Sequence, residues 1–258
     1  MYDKKFKVTG GYEIPAMGVG TWDLRGKIGQ KAIEEALSIG YRHLDTADWY
    51  HNHDIVGHAM RAFGAREKIY LVTKVYPPNL AHDTVIADTH KFLGELKTNY
   101  IDLLLIHWPG STPVAETLGA MQELQADGVV KSLGISGFHG ATLQEVLDLD
   151  VPVINNQIEI NTKVYPAQTI EKCQSQGITV TSYSPLGVGG LLSNRDLIQI
   201  ANKEQITTAQ LILAYLLCQD LIVIPRSANF EHIADNWESC SIELSQDAMQ
   251  RMDSLVKK

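Results

Sequence analysis

The chain has 258 residues, 45% hydrophobic and 20% charged, an ordinary globular composition that excludes disorder and low complexity. A net charge of -8 excludes a general nucleic-acid binder, which would carry a basic surface, although a local cluster of cations can still seat one anionic cofactor. The three cysteines make no C-x-x-C pair and fit free thiols in a reducing cytoplasm; the opening MYDKKFKVTG lacks the apolar core of a secretory signal, and no apolar run reaches the roughly 18 residues of a membrane span.

Short β-rich runs alternate with longer helical patterns. KVTGGYEIP (7–15) predicts a small hairpin turning at Gly10-Gly11, and AMGVGTW (16–22) a strand and its exit loop. KIGQKAIEEALSIG (27–40) predicts an amphipathic helix closed by Gly40. Strand YRHLDT precedes helix HDIVGHAMRAF, strand IYLVTK (69–74) precedes helix HDTVIADTHKFLGEL, and IDLLLIHW (101–108) precedes helix VAETLGAMQELQAD. The alternation continues with VKSLGIS (130–136) and TLQEVLDL, VINNQIE (153–159) and AQTIEKCQSQG, then ITVTSYS (178–184), the loop PLGVGGLL, a short helix near 195–202 and helix TTAQLILAYLLCQ (207–219). LIVIPRS (221–227) is the last strand, followed by helix NFEHIADNW and a final amphipathic helix over about 245–256. Runs such as DLLLI are apolar on both faces, as parallel strands covered by helices must be. Eight such units in this length predict an α/β fold, a (β/α)8 TIM barrel with an N-terminal β-hairpin and an extra C-terminal helix; a doubly wound open sheet is the alternative. No linker divides the chain, so one domain over 1–258 is expected.

In such a barrel, chemistry sits where strands end. The second strand ends at Asp45 with Tyr50 in its loop, the third at Lys74 and the fourth at His107. Singly, each has a structural reading: a turn residue, a rim aromatic, a strand terminator, a satisfied core histidine. On one rim they combine. Asp45 and Lys74 at adjacent buried ends must pair, because a lone buried charge is costly. An ammonium beside a phenol favours the phenolate, so Lys74 is expected to lower the Tyr50 pKa and make it a general acid. His107 would orient a carbonyl or assist the proton transfer. None of these groups supplies electrons, so a hydride must come from a cofactor.

With those residues in hand, the sequence resembles the aldo-keto reductases over essentially its whole length, through LDTADWYHN, VTK, LLLIHWP, GIS followed by Gly-Phe, NNQIE, SYSPLG and IPRS in that order. The resemblance implies a catalytic set of Asp45, Tyr50, Lys74 and His107, Tyr50 being the proton donor, and NADPH as cofactor, bound along the barrel rim without a Rossmann motif. It places Thr21, Trp22 and Asp45 near the nicotinamide, Ser136 and Gln157 on its carboxamide, and Tyr183 stacked on its ring. It places Ser184, Leu186 and the backbone of the Gly187–Gly190 loop, Gly187 and Gly189 included, at the pyrophosphate, Arg226 and Ser227 at the adenosine 2′-phosphate, and Asn236 at the adenine. Three positions depart from the family pattern: Gly137 stands for Asn, His53 for Glu, and His232 for an Arg that helps bind the 2′-phosphate. The last change weakens selectivity, so use of NADH as well as NADPH is expected.

Trp22, Trp49, Tyr76, His107 and Trp108 are expected to line an apolar substrate pocket. The sequence stops at Lys258, soon after its last helix, without the long tail that covers the pocket in many relatives, so an open site with broad carbonyl acceptance is expected. The partners expected are a small carbonyl substrate, with neither nucleic acid nor membrane, and the protein is expected to be monomeric. His51, His53 and His58 match no standard zinc spacing, and no metal is expected. Two other readings stay open: a barrel hydrolase using acids such as Asp45 and Asp48, and an NADPH-binding, redox-sensing subunit with little turnover.

Overall fold

The computed structural model describes residues 5–7, 11 and 13–256. It begins with an antiparallel pair, β1 (Lys5–Lys7) and β2 (Glu13–Pro15), with Phe6 opposite Ile14. This is the expected hairpin; Gly10 of its turn lies outside the described residues.

Eight parallel strands follow: β3 (Val19–Gly20), β4 (His43–Asp45), β5 (Tyr70–Val75), β6 (Ile101–Ile106), β7 (Val130–Ser136), β8 (Val153–Glu159), β9 (Thr179–Tyr183) and β10 (Ile222–Val223). Strands adjacent in sequence are adjacent in the sheet. A parallel bridge between Met17 and Val223 joins its two edges, reinforced by Gly18 N donating to Val223 O and Val223 N to Ala16 O, both at 2.8 Å. The result is the (β/α)8 barrel. Helices α1 (Gly26–Ile39), α2 (His53–Phe63), α3 (His82–Leu96), α4 (Val114–Ala126), α5 (Gly140–Leu147) and α6 (Ala167–Ser175) follow successive strands. Two helices, α7 (Arg195–Glu204) and α8 (Thr208–Cys218), separate β9 from β10; α9 (Phe230–Glu238) and the extra helix α10 (Gln246–Val256) come last. Among the described residues no helix is long and apolar enough to cross a membrane.

Side-chain alternation then places the chemistry. Tyr70, Val72, Leu103, Leu105, Ile154 and Ile222 form an inner cluster together with Ile14 of the hairpin, which closes the barrel floor. Leu71, Leu104, Ile106, Leu133 and Ile135 belong to the outer layer under the helices. Continuing the inner series by the two-residue period brings Lys74 on β5 and His107, one residue beyond β6, to the opposite rim. A one-residue slip would turn Leu104 and Ile106 inward and expose the polar set to the helix layer, so burial fixes the register. Fully burying each such Leu or Ile is worth about 1.5–3 kcal/mol.

β10 pairs regularly over two residues, fewer than LIVIPRS suggests. Pro225 has no N–H to continue the ladder, and accepts from Gly20 N at 3.1 Å instead. A Cβ at Gly20 would lie 2.7 Å from Ile224 O, so only glycine lets these backbones meet.

Candidate active site

The loop after β4 carries the phenol. Asp48–Tyr50 form a single 3-10 turn, with Tyr50 N donating to Ala47 O at 3.0 Å. Asn52 clamps it from beneath: its amide donates to Thr21 O at 2.8 Å and Leu24 O at 3.3 Å, and its carbonyl accepts from Thr46 Oγ1 at 2.8 Å. All three polar partners are backbone or buried side chain, so the turn has little freedom to carry Tyr50 elsewhere.

Beneath it lies a buried pair. Lys74 Nζ donates to Asp45 Oδ1 at 2.6 Å, to Thr46 O at 2.8 Å and to Tyr50 OH at 3.4 Å. An ammonium has three donors, and all three are used, the third aimed at the phenol. The second carboxylate oxygen of Asp45 accepts from Gln157 Nε2 at 2.6 Å. The His107 ring meets Tyr50 edge-on, centroids 5.6 Å apart, and its buried Nδ1 has no partner among the described residues.

The charges follow from burial. Desolvation pulls the Lys74 pKa down, but Asp45 and Tyr50 more than offset it and the net shift is upward, so the amine stays charged. Burial, followed by repulsion from Lys74, brings His107 down to about 2, so its imidazole is neutral at physiological pH. Tyr50 corrects the sequence expectation. Lys74 does pull its pKa down, yet desolvation is the larger effect and Asp45 adds to it, leaving the phenol above its ordinary value. The sequence displays the neighbouring charge but not the burial that outweighs it.

A groove of about 1030 Å³ runs along this rim, at the large end of ligand sites. Trp49 and Trp108 pack beside Tyr50 and His107 on its wall; Trp22, Ser136, Gln157, Tyr183, Arg226, Ser227, His232 and Asn236 line it as well, with the Arg226 guanidinium 5.7 Å from the Trp22 ring. Asp45, Ser184, Leu186 and Gly189 also face it. Four expected residues lie behind this surface. Lys74 is sealed under Tyr50, and Thr21 is fully buried, its Oγ1 without a partner among the described residues. Gly187 does not line the groove, and Tyr76 stacks behind Trp49, rings 6.4 Å apart and 3° from parallel. Gly137 has φ +72, the left-handed region that Asn and Gly enter most readily, which explains why either can stand beside Ser136.

Val188 of the expected Gly187–Gly190 loop faces the groove, while sequence reasoning missed Pro185 and Leu192 after β9, Thr207–Ala209, Ile224 and Asp235, all on the groove wall. One signal was present: Thr207 and Gln210 form a capping box, which marks the start of α8. The three clustered histidines diverge. His53 bridges Glu95 (3.0 Å) and Thr73 (2.8 Å), His58 Nδ1 contacts Asp54 O (2.7 Å), and His51 sits at φ 50 in the turn. Asp48 faces Lys91, 3.9 Å away, and does not line the groove.

The family model of the Aldo/keto reductase family matches residues 16–257. The chain is 34% identical to the glyoxal reductase of Bacillus subtilis (strain 168), covering 97% of this chain and 92% of that protein. It is 32% identical to the methylglyoxal reductase DkgB of Escherichia coli O157:H7, covering 94% and 93%. Among solved structures it superposes on MGS-M4, an aldo-keto reductase from a deep-sea metagenome library, with TM-score 0.93 at 30% identity over 98% of this chain and 94% of that one. The aldose reductase of Schistosoma japonicum gives TM-score 0.92 at 32% identity over 97% and 91%. A closed barrel with these aromatic, cationic and acidic groups on one rim, and matches that run nearly from end to end, have one common account: the chain belongs to the aldo-keto reductase family.

Proposed function

We propose that this protein reduces aldehydes or ketones to alcohols, with hydride from a reduced nicotinamide dinucleotide and the proton from Tyr50. The observation that carries the reading is the Lys74 ammonium, bound to Asp45 and aimed at the Tyr50 hydroxyl 3.4 Å away on the wall of a large groove.

The groove residues suit such a cofactor. Ser136 and the carbonyl of Gln157 offer partners to a carboxamide, Tyr183 offers a flat face, and Arg226 with Ser227 offers a phosphate fork. When bound, the cofactor supplies the hydride. The residues of the chain do the rest. The raised Tyr50 pKa keeps the phenol loaded with its proton at neutral pH. His107, neutral, orients the carbonyl oxygen toward Tyr50. As charge develops on that oxygen, Tyr50 gives up its proton, and the Lys74 hydrogen bond stabilises the phenolate left behind. Asp45 holds Lys74 charged and aimed, and Gln157 fixes Asp45. Trp49 and Trp108 give the carbonyl substrate an apolar wall beside Tyr50 and His107.

Small aldehydes, including α-dicarbonyls of the kind named for the two relatives above, are the substrate class this reading favours. NADPH is the favoured cofactor, with NADH accepted. Hydrolysis is disfavoured because both oxygens of Asp45 are committed and Asp48 faces away from the groove. The test is to mix the protein with NADPH and methylglyoxal or an aromatic aldehyde and follow the absorbance of the reduced cofactor. Oxidation is expected, and Tyr50→Phe should cut kcat by about a thousandfold, within the range of general acid catalysis, with the cofactor Kd unchanged. Cofactor binding without turnover across an aldehyde panel would favour the redox sensor instead.

A further inference from the structure

We propose that Asp23 governs the cofactor preference of this protein by competing with the adenosine 2′-phosphate for Arg226; the proposal rests on the role assigned above to Arg226. Of the described residues that line the groove, Arg226 is the only Lys or Arg. That single guanidinium is already engaged. Its Nη2 lies 3.4 Å from Asp23 Oδ2, and its Cζ stands 5.7 Å from the centroid of the Trp22 ring.

The geometry behind this contact is local. Asp23 follows β3 and Arg226 follows β10, and these strands meet at the seam of the barrel through Gly20 N and Pro225 O. Asp23 has φ 61, a left-handed backbone uncommon for a non-glycine residue and accessible to Asp and Asn. The turn thereby brings a carboxylate to the guanidinium that lines the groove.

Two consequences follow for a cofactor carrying the 2′-phosphate. It competes with Asp23 for the Nη2 edge of Arg226, and the carboxylate remains nearby as a like charge. A cofactor with a bare 2′-hydroxyl meets neither obstacle. His232, standing where the family pattern has an Arg, adds no second fork to outbid the acid. Asp23 thus narrows the advantage of NADPH over NADH. The pair is solvent-exposed, so its effect is modest, about two- to fivefold in affinity.

The experiment measures Kd for NADPH and for NADH by quenching of tryptophan fluorescence, in the wild type, Asp23→Asn, Arg226→Ala and the double variant. Asn accepts the same backbone conformation, so Asp23→Asn keeps the turn. The expected result is NADPH binding tightened about two- to fivefold by Asp23→Asn with NADH changed less than about 1.5-fold, and no selective gain in the Arg226→Ala background. If Arg226→Ala weakens NADPH selectively but Asp23→Asn leaves the ratio of the two Kd values unchanged, the competition is refuted and the 2′-phosphate role stands. Equal tightening of both cofactors by Asp23→Asn also refutes it. If Arg226→Ala weakens both cofactors alike, the assigned role of Arg226 fails, and the proposal with it.

Discussion

Replacing Lys74 with Met keeps an unbranched apolar stem and removes the ammonium with its hydrogen bonds to Asp45, Thr46 O and Tyr50. Coulomb attraction between an ammonium and a phenolate at the observed separation of 3.4 Å is about 5 kcal/mol at an effective dielectric of about 20. Asp45, 2.6 Å from the same nitrogen, repels the phenolate and offsets part of this. A charge-assisted hydrogen bond is worth about 1.5–3 kcal/mol net. Taking about 3 kcal/mol, kcat should fall about 150-fold. The substitution also strands a buried carboxylate whose remaining partner is Gln157, which should cost about 3–5 kcal/mol of stability. These two effects separate in the double variant Lys74→Met with Asp45→Asn: the stranded charge is gone, so stability should recover while kcat stays low. The assays are steady-state kinetics at saturating NADPH with a small aldehyde, alongside urea unfolding of each variant. A single variant within about threefold of wild-type kcat, or a double variant that regains the rate, would refute the assignment of Lys74 as the group that stabilises the phenolate.

Buried histidines should make stability fall in mild acid. His107 drops to about 2 and His43 is also lowered, each by burial first, while the unfolded chain protonates near 6.5. The contribution is intact above the unfolded value and is lost as pH falls from about 6.5 toward the folded ones, by about 1.4 kcal/mol per pH unit for His107, with His43 acting in the same direction. Urea unfolding between pH 7 and 5 checks this; the slope should shrink in His107→Gln, and an unchanged slope would count against a neutral His107. The same shift predicts no titration of His107 in kcat between pH 5 and 8. Gly137→Asn should be tolerated and should tighten cofactor binding through an added carboxamide partner, whereas Gly137→Val, forced to φ +72, should lose about 1–2 kcal/mol by thermal or urea unfolding.

Most of the barrel is legible in the sequence because its strands are apolar on both faces and its helices carry their own stops. HDIVGHAMRAF and VINNQIE form α2 and β8 without a residue's difference. The seam is less legible, since β3 and β10 are defined by backbone contacts between Gly18, Gly20, Val223 and Pro225 rather than by side-chain pattern. The meeting of Asp45, Lys74, Tyr50 and His107 follows from counting inward positions on neighbouring strands. What pattern cannot give is the sign of a balance: a string of letters shows that Lys74 is near Tyr50, not that dehydration of the phenol outweighs it. Nor does it reveal that Gln157 donates to Asp45, that Thr21 is sealed away, or that His53 is tied to Glu95 and Thr73, because each depends on which way a side chain turns in three dimensions.

The seam has a temporal consequence. Met17 bridges Val223, so the first barrel strand waits for the last before the ring can shut. Until nearly all of the polypeptide has left the ribosome, growing sheet edges stay unpaired and prone to sticking. The groove is unfinished for the same interval, since Trp22 comes from one side of the gap and Arg226 from the other. A nascent or truncated product lacking β10 therefore keeps both sheet edges open and its groove incomplete.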